Sequence, residues 1–418
     1  MIPLKASKLY IVEGIEENPI ARQRSERLKS GIITDNIEYV DDEKLNNAVL
    51  SDEFRVKNHG MNADIKPVVV FNRYRFEDTP EERKRRQEKY PGIFKITRLS
   101  GYGGIDWRES GSRAYRKRTG LVCNPAFQLH SIVGCHFRCS YCHLGHFVNI
   151  MMNMEDMITY IDDTIKRAPG QTLYQYDNYT DTVCFEPEYG GSKLLVEYFA
   201  QREKEYLELY VGKSSHVDHL LKLDHKGHTL CCWSVSGITQ SQNFEYKAAS
   251  MEDRIESARL CQEAGYHVRF RLSPIIPVKN WQEENRELIR LIFSQTRPDL
   301  ITFETLRFLD YNKIHQTMDT SLLDPEFINL MKEAQGKPCL QGCQIPHEYR
   351  KKIYRFIIDE IEKLSPETPY ALCRASRKMW EDLEEDFTRH GQSPDYYVCN
   401  CGPYSAPGHE LLAQKSYS

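Results

Sequence analysis

Cys135, Cys139 and Cys142 stand within eight residues in "GCHFRCSYCHLGH", which runs from Gly134 to His146. The spacing is C-x3-C-x2-C. Zinc is usually held by two cysteine pairs, or by a pair joined to two histidines. A closed four-iron cluster takes four cysteines. Three cysteines on one loop can hold three irons of such a cluster and leave the fourth iron free. An open coordination position is what a metal centre needs to bind a reactant. His136, His143 and His146 remain candidate fourth ligands under a zinc reading, and a fortuitous trio of cysteines is the bland alternative.

The rest of the chain sets the surroundings of that loop. The 418 residues carry a net charge of −4 and 13 cysteines. The near-neutral charge gives no general nucleic-acid footprint, although "ERKRRQEK" and "SRAYRKRTG" are locally basic. An odd cysteine count, with no signal-peptide pattern at the start, argues against a disulfide framework. A cytoplasmic protein with no membrane span is expected.

From about Leu121 the pattern alternates short apolar runs with amphipathic segments. The runs are "FQLHSIV", "TVCFEPE", "LELYVGK", "TLCCWSVSG", "HVRFRLSPIIP" and "LITFETLRF". Six strands alternating with helices predict an α/β fold with a parallel sheet. Six units suit a partial (β/α)6 TIM-like barrel, with chemistry at the C-terminal strand ends. The expected division is an N-terminal α/β extension over 1–120, the barrel over 121–322, and a cysteine-containing extension over 323–418. The cluster loop follows the first predicted strand.

C-x3-C-x-aromatic-C at that place is the signature of radical S-adenosylmethionine enzymes. The downstream stretches "LYVGKSSHVDHLLKLDHKGHTLCCWSVSG", "NFEYKAASMEDRIESARLCQEAGYHVRFRLSPI" and "LITFETLRF" resemble the spore photoproduct lyase family over roughly Lys8 to Phe308. The resemblance implies that Cys135, Cys139 and Cys142 hold a [4Fe–4S] cluster whose free iron chelates S-adenosylmethionine. An electron from the cluster then breaks a carbon–sulfur bond, and the usual product is a radical that takes hydrogen from substrate. A flavodoxin- or ferredoxin-type electron donor is implied as partner.

The same resemblance carries over individual residues. Tyr141 falls at the aromatic position near the adenine, Lys213 at a lysine that meets the cofactor carboxylate, and Ser234 and Ser273 at cofactor contacts. Superfamily members often receive the cofactor ammonium on a glutamate at a strand end, which makes Glu188 and then Glu186 the candidates. The lyases also use a cysteine to return hydrogen to the product radical. That position is placed here at Tyr189, and a radical-relay tyrosine at His143. Neither residue matches the family.

That departure favours a radical enzyme acting on a small molecule or peptide. Lyase-type repair of pyrimidine lesions in DNA and a non-catalytic metal-binding module are the alternatives. Late in the chain, Cys339 and Cys343 (C-x3-C) and Cys399 and Cys401 (C-x-C) are candidate ligands of a second iron–sulfur cluster or a zinc ion. Free thiols compete with that reading. Cys373, Cys231, Cys232 and Cys261 are expected to pack, and Trp233 and Phe244 to serve the core or the substrate rim.

Overall fold

The computed structural model describes residues 1–51, 54, 66–96, 98–109, 112–142, 144, 147–339 and 343–413. Its centre is a sheet of seven parallel strands: β1 Ala126–Leu129, β2 Leu173–Tyr176, β3 Tyr206–Gly212, β4 Thr229–Ser234, β5 His267–Ile275, β6 Leu300–Thr305 and β7 Tyr370–Leu372. They pair in chain order, and Ile105–Arg108 adds an antiparallel edge beside β1. β7 and Ile105–Arg108 are the two edges of the sheet, so the barrel is open.

Alternation along the strands separates two environments. Leu207, Leu209, Val211, Trp233, Val268, Phe270 and Leu272 are buried in the apolar core. The opposite, barrel-facing positions are polar. Gln128 Nε2 donates to Gln175 Oε1 at 2.7 Å, Gln175 Nε2 donates to the Tyr210 hydroxyl, and the Arg271 guanidinium lies 5.0 Å from the Tyr210 ring. The helices between strands are fixed at their starts. Ser250 accepts from Asp253 N to cap Met251–Glu263, satisfying an N–H that helix geometry leaves orphaned.

One predicted strand is different. "TVCFEPE" does not enter the sheet; Thr182–Phe185 is a single 3-10 turn, and the second strand is Leu173–Tyr176. Gln175 turns to the polar interior, so that short strand lacks an apolar signature. Thr182, Val183, Cys184 and Phe185 look strand-like because all four are buried. β7, from "TPYALC", which reads as a strand running into a helix, joins the sheet as a seventh parallel strand, although the expected barrel ends before it.

The sheets cross the division at 120/121. A second sheet joins Ile37–Val40, Lys8–Val12, Val68–Asn72, Phe147–Met151 and Ile132–Val133, so the chain on either side of the cysteine loop belongs to the sheet of the N-terminal segment. The C-terminal tail covers the N-terminal strand ends. Pro403 O accepts from Thr172 N and Leu173 N, Ser405 O accepts from Arg269 Nη2, and Ala413 N donates to Asp299 O. Among the described residues no helix is long and apolar enough to cross a membrane.

Candidate functional site

The loop Gly134–Cys142 leaves the first strand and is pinned on both sides. Gly134 has φ +102°, and a Cβ there would overlap the Phe147 carbonyl, so glycine alone lets the loop lie against that strand. Arg138–Cys139 pairs with Glu245–Tyr246, and Ser140 N donates to Phe244 O at 2.8 Å. Within the loop, Phe137 N reaches Cys135 Sγ and Leu144 N reaches Cys142 Sγ, each at 3.4 Å. Backbone N–H groups aimed at sulfur stabilise thiolates.

These three thiols fit a cluster better than a single ion. Burial pushes all three up, Cys139 to about 12, so metal binding must displace their protons. Zinc with 2.3 Å bonds holds tetrahedral thiolates about 3.8 Å apart. Among the described residues, His347, Glu348 and Asp382 form the one set of three such donors lying within 4.8 Å of one another. The cysteine trio is more widely spread. His136 is buried, with Nδ1 lacking a partner. His143, expected as a relay residue, and His146 lie outside the described residues.

Beside the loop stands a buried charged network. Tyr141 donates its hydroxyl to Glu245 Oε1 at 2.7 Å, and Gln240 Nε2 donates to the same oxygen at 3.0 Å. Arg254 Nη1 lies 2.6 Å from Glu245 Oε2, and Lys213 Nζ lies 3.9 Å from Oε1 and 5.8 Å from the Tyr141 ring. Burial alone would raise the Glu245 carboxyl; Lys213 and Arg254 overcome it and hold the group at about 2. Lys213 follows β3, and its backbone N–H donates to Asp181 Oδ2 at 2.7 Å. Burial pushes the Asp181 carboxyl up to about 7. Ser234 ends β4, its carbonyl accepting from Arg254, and Ser273 on β5 lies 3.5 Å from Glu304 Oε2. Tyr141 and Lys213 therefore come together beside the cysteines, and Ser234 joins them through Arg254.

Three expected residues do other work. Glu186 is buried and gives both carboxylate oxygens to the start of the Gly191–Phe199 helix, accepting from Gly190 N and Ser192 N at 2.7 Å each. Both oxygens thus serve that helix start. Glu188 pairs with the amino group of Met1. Tyr189 is fully buried, donates to Met151 O at 2.9 Å and packs beside Arg24. Its phenol is held by that carbonyl rather than turned to the cysteine loop's Tyr179 neighbour. The chain beside the cluster loop is instead Asp177–Asp181, after β2: Tyr179 O accepts from Gly134 N at 3.0 Å. No cysteine occurs in "DNYTD". Cys184 is buried and donates to Asp181 O at 3.0 Å.

The family model described as spore photoproduct lyase matches residues 125–319. The spore photoproduct lyase of Clostridium acetobutylicum is 30% identical over 194 residues, 44% of this chain and 57% of that protein. That of Bacillus subtilis is 30% identical over 184 residues, 42% and 54% of the two chains. Over this region the chain is similar to the spore photoproduct lyases. The sequence match spans just over half the length of these curated relatives. The structure of a spore photoproduct lyase complexed with dinucleoside spore photoproduct superposes with a TM-score of 0.61 at 18% identity, covering 89% of this chain and 99% of that one. This likeness extends the shared fold beyond the region of sequence similarity.

Within this lyase-like chain, Glu245 and Arg254 are the residues that sequence reasoning passed over. Both lie in the stretches "NFE" and "RIE" that carry the resemblance, but nothing in their spacing announces an ion pair. The late cysteines also regroup. Cys339 is exposed and shares a groove with Cys343, Glu333, Lys337, His347 and Arg350. Cys399 and Cys401 lie elsewhere, beside Asn124 and Arg108. Cys231 and Cys261 pack against each other; Cys232 faces inward and accepts from Asn400 Nδ2 at 3.1 Å. Trp233 and Phe244 are core residues.

Proposed function

We propose that this chain is a radical S-adenosylmethionine enzyme. The observation that carries the proposal is the junction of the three-cysteine loop with Lys213 and Tyr141, locked by the buried Glu245–Arg254 pair. Cys135, Cys139 and Cys142 would hold a [4Fe–4S] cluster, and the cofactor would bind at its fourth iron. Once bound, the cluster and cofactor supply one-electron cleavage of a carbon–sulfur bond.

The chain's own residues bind and orient. Lys213 supplies a cation for the cofactor carboxylate, a charge-assisted contact. Tyr141 stands with its hydroxyl fixed, so its ring is a rigid wall rather than a proton carrier. Ser234 and Ser273 stand at the strand ends where the adenosyl part would lie. The ammonium-receiving role passes from Glu186, which caps a helix, to the Asp177–Asp181 segment beside the loop, where Asp181 Oδ1 is buried without a partner. A flavodoxin- or ferredoxin-type protein would supply the electron.

The substrate is a small molecule or peptide on this reading, because the segment beside the cluster loop offers no thiol to return a hydrogen atom. Lesion repair is the second reading, favoured by the relatives, whose solved structures include one with a dinucleoside spore photoproduct bound. One assay separates them. Anaerobically reconstituted, reduced enzyme is given S-adenosylmethionine with or without the dinucleoside. Cleavage of S-adenosylmethionine without thymidine release is expected. Stoichiometric thymidine release establishes the repair reading, and absence of any cleavage product at full cluster occupancy refutes both.

A further inference from the structure

Cys123, Cys373, Cys399 and Cys401 come from three distant parts of the chain and meet at the open side of the barrel. Cys123 follows the strand Leu121–Val122, which pairs antiparallel with Ala375–Ser376. Cys373 lies between that partner and β7, its N–H donating to Phe303 O at 3.0 Å. The two-stranded pairing thus links the chain just before β1 to the chain just after β7, where the barrel fails to close. The tail brings in the other two thiols. Cys399 and Cys401 are in hydrogen-bond contact, Cys123 is an electrostatic neighbour of Cys399 and of Cys373, and Cys401 of Cys373.

The surroundings of these thiols are cationic. Arg108 Nη2 donates to Cys401 Sγ at 2.9 Å, and its Nε is buried without a partner. Arg271 sits over the Tyr210 ring, with Cys373, Cys232 and Cys401 among its strongest electrostatic neighbours. Among the described residues neither arginine has a carboxylate within ion-pairing distance, although the buried Glu208 and Glu304 share the field of Arg271; Glu304 is paired with Arg307 at 3.3 Å. A buried guanidinium without an anion costs several kcal/mol. Four thiolates on a metal centre would complete the anionic side of this cationic pocket.

Cys399 and Cys401 touch, as two ligands of one metal centre can, and the other two thiols stand further off. No three of them lie within 4.8 Å of one another, whereas a zinc ion would draw its thiolates to about 3.8 Å. A four-iron cluster holds its four cysteines on a wider frame. We propose that Cys123, Cys373, Cys399 and Cys401 hold a second [4Fe–4S] cluster that staples the open side of the barrel. With four cysteines every iron is ligated, so this cluster has no position for S-adenosylmethionine. It replaces the set Cys339, Cys343, Cys399 and Cys401 expected from sequence, and it is independent of the radical reading of the first site.

The test is iron and sulfide content of the full chain after anaerobic reconstitution. The Cys135→Ala/Cys139→Ala/Cys142→Ala variant is expected to keep about four irons, and wild type to hold about eight. Adding Cys399→Ala and Cys401→Ala to the triple variant should remove the remaining iron; adding Cys339→Ala and Cys343→Ala should not. Because losing two ligands can unfold the tail, Cys373→Ser in the triple background is the second variant. It should keep iron and change the electron paramagnetic resonance spectrum of the reduced cluster. Loss of all iron in the triple variant, zinc in place of iron, or a spectrum indifferent to Cys373→Ser overturns the proposal. If wild type and triple variant both hold about four irons, the second cluster stands and the first site is the reading that fails.

Discussion

Replacing Glu245 tests whether the network beside the cluster loop is electrostatic in origin. Glu245 and Arg254 are both fully buried and 2.6 Å apart, so solvent does not screen them. Burial opposes ionisation of Glu245, yet Lys213 and Arg254 lower its pKa from 4.5 to about 2. A drop of that size corresponds to roughly 3 kcal/mol of stability. The sign is that of a depressed carboxylate: the contribution is complete above pH 4.5 and is lost as the pH falls through about 2. Glu245→Gln keeps an acceptor for Tyr141 but leaves Arg254 buried and uncompensated, at a cost of about 3–5 kcal/mol. Arg254→Met leaves Glu245 with Lys213 alone, at a similar cost. The double variant removes both charges and should be less damaged than the sum by roughly 2–3 kcal/mol. Denaturant unfolding of the four proteins at equal cluster occupancy measures this coupling. Additivity within about 0.5 kcal/mol refutes the reasoning.

Three further outcomes follow from the geometry. Lys213→Ala should weaken S-adenosylmethionine binding about 10- to 100-fold, the worth of one charge-assisted hydrogen bond, with cluster content unchanged; equilibrium binding to the reconstituted protein reads it. Gly134→Ala should cost most of the first cluster's iron, because a Cβ would overlap the Phe147 carbonyl at a φ of +102°; metal analysis after reconstitution checks it. Glu186→Ala and Tyr189→Phe should each lower stability by about 1–3 kcal/mol through lost buried hydrogen bonds, yet leave S-adenosylmethionine affinity and cleavage unaltered; a loss of binding in the first or of cleavage in the second would restore their expected site roles.

The cysteine loop was legible because its chemistry is local: three thiols in eight residues need no fold to be noticed. Lys213 was legible through the family resemblance of "LYVGK", and the structure sets it just after β3 beside the cysteine loop. Glu245 and Arg254 left no comparable trace, since an ion pair between a short strand and a helix has no period. The second strand was misplaced for a physical reason. Barrel interiors here are polar, so Gln175 made a true strand look ordinary while the four buried residues of a turn looked like a strand. That reading put the strand end, and the ammonium candidates Glu188 and Glu186 with it, after Phe185, whereas β2 ends at Tyr176 and leads into Asp177–Asp181. Cys123 drew no attention because its partners lie some 250 residues away or more, at Cys373, Cys399 and Cys401; only the pairing of Leu121–Val122 with Ala375–Ser376 brings them near.

The most direct test of the central claim is an electron paramagnetic resonance titration of the reduced, reconstituted chain with S-adenosylmethionine. The account predicts that one cluster signal shifts to saturation as the cofactor reaches the open iron, and that this shifting signal is absent from the Cys135→Ala/Cys139→Ala/Cys142→Ala variant. A spectrum unmoved by saturating S-adenosylmethionine, with the first cluster fully loaded, would contradict it.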